Sequence, residues 1–244
     1  MPLPGILQEQ YGSFINTMYN PLLSVLHNDT ATAFRFIYLA TYIDYESGYV
    51  IWNNRRVTDS DLKYIFGVSR NLVTSIKQGL YDNMLITTDS DGYIIVNPRY
   101  CYKGSSNTTK QQYTRVFINS IRELYNKSVD PREHKMMGRL ILILPYVNVW
   151  HNIICLNIKE KDMSKLVLPN LAQLDSILGV SNKNASRTLK DLLSITVGGE
   201  PALLNISHNK ANMYAINPRI YYGGTHATHL EELQGYFTAK GGKD

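Results

Sequence analysis

Cysteine occurs only twice in the 244 residues, at Cys101 and Cys155, which leaves neither a disulfide framework nor a thiolate cluster for a metal. No stretch reaches the roughly 18 consecutive apolar residues of a membrane-crossing helix, and no leader pattern opens the chain. A cytoplasmic, nucleoid-associated protein without a membrane partner is the expectation. Also missing are a phosphate-cradling glycine loop, a metallohydrolase motif and a nucleophile elbow, which argues against an enzyme and against a bound cofactor. Phenylalanine is scarce, 6 residues against 18 tyrosines, so aromatic packing here has to find partners for many hydroxyls. Charge is modest at 18%, and the net +5 favours an anionic partner without selecting one.

What the chain does have is a repeat. Thr58 is followed by Gly67, Val68 and Ser69, and Asn170 by Gly179, Val180 and Ser181 at the same spacing. Both copies close on Asn-Pro-Arg, at Asn97–Arg99 and Asn217–Arg219. The copies are 112 residues apart at the Gly-Val-Ser step and 120 at the Asn-Pro-Arg step, so the second holds eight extra residues, expected in a hairpin loop where length is cheap.

Thr58 and Asn170 are helix-capping residues, and the apolar spacing of Leu62, Ile65 and Phe66, and of Leu171, Leu174, Ile177 and Leu178, predicts a short helix after each. Gly67 and Gly179 stop those helices, and Ser69 and Ser181 cap the next. Helix, glycine turn, helix is the helix-turn-helix pattern. In the second helices Leu72, Val73, Ile76 and Leu80, and Ala185, Leu189 and Leu192, face a core. Arg70, Asn71, Thr74, Ser75, Lys77 and Gln78 in the first copy, and Asn182, Lys183, Asn184, Ser186, Arg187 and Lys190 in the second, are left outward or at the margin. Such short, polar, basic faces, with Ser69 and Ser181 at the helix starts as further DNA contacts, suit base edges and phosphates, and they also suit plain solvation. Apolar runs around Asp89–Gly92 and Gly198–Glu200 predict hairpins after both helices, which makes each a wing.

The Gly-Val-Ser turn, the stretch Ser186-Arg187-Thr188-Leu189-Lys190-Asp191-Leu192 and the ending Ala215 to Gly224, echoed by Ile95 to Gly104, resemble the RepL-like replication proteins of Firmicute plasmids and phages. The resemblance covers each repeat and implies a DNA-binding winged helix connected with replication initiation or its control.

The fold class expected is mainly α with small β hairpins, an α+β chain of tandem winged helix-turn-helix domains joined by a helical linker. Its units are an N-terminal helical extension over 1–28, a first domain over 29–104, a basic linker helix over 105–132, a second domain over 133–224 and a tail over 225–244. Leu7 to Leu26 reads as one or two short helices, Thr114 to Tyr125 as a connecting helix, and Gly241 and Gly242 as a disordered end. Residues 105–139 carry seven basic and three acidic side chains, which suits a phosphate backbone as well as a solvated surface. Arg55 and Arg56 precede the first helix-turn-helix and are placed for phosphate contact. Asp59 and Asp61 belong to a helix start and Asp89 and Asp91 to a hairpin tip; His226, His229, Glu231 and Glu232 read as a flexible or short helical tail rather than a metal site. The expected partner is double-stranded DNA, read at two half-sites per chain and at four in a homodimer. A repressor or regulator of a phage or plasmid, a replication initiator, and a winged protein-interaction module without DNA binding are the competing roles.

Overall fold

A helix that is apolar or small on nearly every face has to be covered on all sides, and Thr30–Ala40 (α1), with Arg35 its one charged residue, is such a helix, all 11 residues being buried. Asp29 starts it by accepting hydrogen bonds from the Ala31 and Thr32 amides at 3.1 and 3.0 Å. The computed structural model describes residues 8–18, 22, 23, 25, 27, 29–104, 113–180, 184–208, 211–223 and 227–241. Within it, the main cover of α1 is Pro131–Ile143 (α5), a helix begun by Asp130 with Pro131 in its first turn. The two approach most closely at Gly138, where a Cβ would stand 1.9 Å from the Thr30 carbonyl oxygen. Full burial of Phe34, Phe36, Ile37 and Leu39 contributes about 1.5–3 kcal/mol each.

Each of these helices opens a similar series of elements. After α1, Tyr49 bridges Ile95, and Ile51–Trp52 (β2) turns back on Arg55–Arg56 (β3). A 3₁₀ turn, Asp59–Asp61, leads into Leu62–Phe66 (α2), Arg70–Asp82 (α3) and the hairpin Ile86–Thr88 (β4) with Ile94–Val96 (β5). After α5, Ile153 bridges Ala215, and the chain continues into Leu171–Ile177 (α6), Ala185–Leu193 (α7) and the hairpin Leu203–His208 (β10) with Ala211–Ile216 (β11). The eight extra residues fall in two places. Leu192 to Ala202 is five residues longer than its counterpart Leu80 to Leu85, the excess forming a small hairpin of Thr196–Val197 (β8) and Glu200–Pro201 (β9). The β10–β11 hairpin takes the other three, since Leu203 pairs with Ile216 where Ile86 pairs with Val96.

In two regions read as helix, part is strand. Phe14–Met18 (β1) lies between Cys101–Tyr102 (β6) and Tyr113–Phe117 (β7) in an antiparallel sheet, with Phe14 opposite Phe117 and Thr17 opposite Cys101. Ile15, Asn16, Thr17 and Met18 are all buried, so β1 lacks the alternation that identifies a half-exposed strand. The connecting helix accordingly begins later, as Ile118–Lys127 (α4). Of the two forms expected for the tail, flexible or short helix, the structure has the helix: Ala227–Gly241 (α8) buries Leu230, Leu233 and Phe237, and it includes Gly241, expected as disordered, while Gly242 lies outside the described residues. It is fastened by Glu200, whose carboxylate accepts from Gln234 Nε2 at 2.8 and 2.9 Å, Thr238 Oγ1 at 2.9 Å, Arg219 Nε at 3.1 Å and Asn217 Nδ2 at 3.2 Å. Burial raises the pKa of that carboxyl, but these donors outweigh it and hold the group below its ordinary value.

The result is a mixed α+β chain of helices and small antiparallel sheets of two or three strands. Its principal apolar core runs from Ile15 through α1 and α5 to Tyr221, drawing on both copies of the repeat, and a second cluster lies under α8. No described helix is long and apolar enough to cross a membrane.

Candidate nucleic-acid interface

Ser69 accepts a hydrogen bond from the Leu72 amide and starts α3 immediately after the left-handed Gly67, at φ 60° and ψ 31°. A Cβ on Gly67 would meet nothing within 4 Å, so its glycine is demanded by conformation and not by space. Val73, Ile76 and Leu80 are buried, while Arg70, Asn71, Thr74, Ser75 and Gln78 are exposed. Apart from Leu72, expected inward and found half-buried, this is the inward and outward division expected from spacing alone.

The second copy is built alike. Asn170 and Gln173 form a reciprocal capping pair, each side chain accepting from the other's backbone amide at 2.9 Å. Gly179 again has φ 60°, and the Val180 amide reaches back to Asp175 as the Val68 amide does to Lys63. The Asp175 carboxylate also accepts from the Ala185 amide at 2.7 Å, fixing the start of α7 to α6. Ala185, Thr188, Leu189 and Leu192 are buried, and Asn184, Ser186, Arg187 and Lys190 are exposed. Ser181, Asn182 and Lys183 lie outside the described residues.

Three basic side chains have internal work that their positions in the sequence did not announce. Arg55 forms a two-point ion pair with Asp61, Nη2 to Oδ1 at 2.6 Å and Nη1 to Oδ2 at 3.1 Å, and this guanidinium holds the Asp61 carboxyl below its usual range. Lys77 pairs with Asp59, which also accepts from the Tyr81 hydroxyl at 2.7 Å, so Asp59 ties α3 to the preceding 3₁₀ turn. The Arg56 guanidinium lies 3.9 Å from the Tyr49 ring centroid and 5.8 Å from that of Tyr93, stacked on the first hairpin while the residue stays exposed. The connecting segment is similarly occupied. Arg122 donates to the Thr41 hydroxyl and carbonyl at 3.0 and 2.9 Å, and Lys127 to the Thr196 carbonyl at 2.5 Å. By contrast, no ion-pair partner among the described residues is found for Arg70, Arg187 or Lys190.

Tyrosine hydroxyls hold α2 in place. Tyr38 of α1 and Tyr125 of α4 stack face to face, 3.6 Å between centroids and 7° between planes. Their hydroxyls donate to the Ile65 and Phe66 carbonyls, at 3.1 and 3.0 Å, which are end groups of α2. Tyr125→Phe, which removes one of these donors inside the core, is expected to cost about 1–3 kcal/mol in urea unfolding. An unchanged midpoint would mean that this carbonyl is satisfied without Tyr125.

The Asn53-Asn54 pair is a turn signal independent of apolar spacing: its φ values of 50° and 59° make the tight β2–β3 turn beside α2. Trp52 at one end of that turn stacks on the exposed Tyr64, centroids 6.4 Å apart. Among the described residues no group of three histidine, cysteine or carboxylate side chains is placed to hold a metal. The chain matches no protein-family model, no curated protein and no solved structure.

Proposed function

We propose that this chain is a sequence-specific double-stranded DNA-binding protein made of two winged helices in tandem, with α3 and α7 as reading helices and the β4–β5 and β10–β11 hairpins as wings. One observation carries the reading. In both halves a left-handed glycine turns the chain into a helix with a buried apolar side, whose outward face is short, polar and basic. Arg70, Asn71 and Thr74 on one helix, and Asn184, Ser186, Arg187 and Lys190 on the other, are the residues to which we assign contact with base edges and phosphates. Since the two faces differ, the two half-sites differ as well. The role that fits is regulation of a phage or plasmid, with replication initiation the alternative; neither needs a catalytic residue.

The second half is the stronger reader, because two of the basic groups proposed for the first, Arg55 and Lys77, are already neutralised by Asp61 and Asp59. Selection of bound duplexes from a random library is expected to enrich a bipartite site. On that site Arg187→Ala should lose about 1–3 kcal/mol of affinity if the guanidinium reads a base, and Arg55→Ala should lose less. Failure to enrich any duplex, with only weak and steeply salt-dependent retention, would remove the specific-reader function. The position of an enriched site, at a promoter or at an origin, separates regulator from initiator.

A further inference from the structure

The two halves expose large apolar side chains at matching places. The bridges Ile43–Val50 and Tyr49–Ile95 of the first half are repeated as Val147–Ile154 and Ile153–Ala215 in the second, so Trp52 corresponds to Leu156. On the returning segment the match of Thr58 with Asn170 makes Arg55 correspond to Val167. Trp52 stands opposite Arg55 in the β2–β3 register, and the Leu156 amide donates to the Val167 carbonyl at 2.9 Å, so the same pairing is made twice. In the first half this corner carries Trp52, stacked on Tyr64 of α2, with Tyr64 59% exposed. In the second it carries Leu156 and Val167, 40% and 51% exposed, and then Leu171 in the first turn of α6, 59% exposed. Scattered apolar residues are ordinary on a protein surface, but here large ones recur at one corner of both copies of a repeat.

The charges beside the two patches differ in sign. Lys63 is the only charged residue of α2, and Asp175, at the corresponding position, is the only one of α6. Lys63 is exposed, its ammonium 4.5 Å from the Tyr64 ring centroid, and Arg55 opposite Trp52 stays exposed although it is paired with Asp61. The place of Arg55 is taken in the second half by the uncharged Val167. A first-half patch seated on another first-half patch brings two lysine-bearing helices together, and second on second brings two aspartate-bearing helices together. The crossed pairing alone joins opposite charges, and it lays the rings of Trp52 and Tyr64 on aliphatic side chains. Each chain holds one patch of each kind, so two chains can satisfy both crossed contacts in a closed two-fold pair.

We propose that these patches form a self-association surface: the Trp52–Tyr64 face of one copy of the chain seats on the Leu156, Val167 and Leu171 face of a second copy, and the reverse contact is made at the same time. The pairing is independent of the DNA-binding assignment, and its test needs no duplex.

Sedimentation velocity of the full chain across the micromolar range is expected to show a dimer. Tyr64→Glu places a carboxylate in the first patch and Leu171→Glu places one in the second, both at exposed positions, and circular dichroism verifies that the variants are folded. Either change spoils both contacts of the dimer and should weaken association about thirtyfold or more. Lys63→Glu, which sets two acidic helices against each other, should weaken it about tenfold. The crossed arrangement makes a further demand that pairing of like patches does not. A mixture of Tyr64→Glu with Leu171→Glu keeps one intact contact per pair and should regain a dimer at concentrations where each variant alone is monomeric. A monomeric parent, any of the three variants dimerising as the parent does, a mixture that stays monomeric, or assemblies that grow beyond the dimer would each overturn the proposal.

Discussion

Gly138→Ala is expected to destabilise the protein by about 3 kcal/mol or more, among the largest losses available to a single added methyl. The new Cβ would stand 1.9 Å from the Thr30 carbonyl oxygen and 2.5 Å from its carbonyl carbon. Both are backbone atoms at the start of α1, and the Thr30 hydroxyl is itself bonded to the Lys135 carbonyl at 3.0 Å, so α1 and α5 cannot accommodate the methyl by rotating a side chain. The helices would have to separate along the contact that joins the two halves of the core. Two other helical glycines supply controls. At Gly79 a Cβ meets the Thr32 hydroxyl at 2.9 Å and its methyl at 3.2 Å, side-chain atoms rather than backbone, and at Gly235 it meets nothing within 4 Å. Gly235→Ala should therefore stabilise by about 0.5–1 kcal/mol through helix propensity, with Gly79→Ala between the extremes. Urea unfolding of the three variants gives the order directly, and a Gly138→Ala protein within 0.5 kcal/mol of the parent would mean that α1 and α5 are not packed at this distance.

A second large effect is an acid-side loss of stability centred on His134. This residue is 1% exposed, accepts from Arg35 Nε at 3.1 Å through Nδ1, and so donates from Nε2 to the Ser128 carbonyl at 2.8 Å. Burial first, and the adjoining Arg35 charge second, push its pKa down to about 4, against the raising influence of the Ser128 bond and of Asp130. The folded protein thus keeps His134 neutral through a range in which the unfolded chain, at about 6.5, takes up a proton. That stability is complete above the unfolded value and is lost as pH falls toward 4, at about 1.4 kcal/mol per pH unit and on the order of 3 kcal/mol in all. Gln in place of His134 retains an acceptor for Arg35 and a donor for Ser128 but does not titrate. His134→Gln should accordingly show a slope of stability against pH that is shallower by close to one proton between pH 6.5 and 4. Equal slopes would place the acid sensitivity elsewhere, among the carboxylates of Asp61, Asp89, Asp162 and Glu200, which are all held below their ordinary values.

Much of the candidate interface was legible because it depends on neighbours three or four residues apart. The cap at Asn170, the left-handed Gly67 and Gly179, and the inward spacing of Val73, Ile76 and Leu80 are local choices, and each is found where periodicity placed it. Less legible was the availability of the charges. Whether Arg55 faces a phosphate or Asp61 depends on a hairpin turn at Asn53 and Asn54, and whether Lys77 reaches outward depends on Asp59 in the 3₁₀ turn before α2. Opposite charges that meet across a turn do not declare themselves in a list of basic residues.

The sequence by itself determined the repeat, the glycine turn between the two helices of each copy and the division of α3 and α7 into buried and exposed faces, since capping, glycine conformation and helical period act within a few residues. Tertiary structure alone decided that Phe14–Met18 and Tyr113–Phe117 are strands, because β1 exists only by pairing with β6 and β7, nearly a hundred residues away. It also decided that α1 and α5 meet at Gly138, that Tyr38 and Tyr125 serve the carbonyls of α2, and that α8 closes on Glu200. Each of these requires two distant segments to present matching surfaces or matching donors and acceptors at once, a condition set by packing in three dimensions and not by the period of either segment.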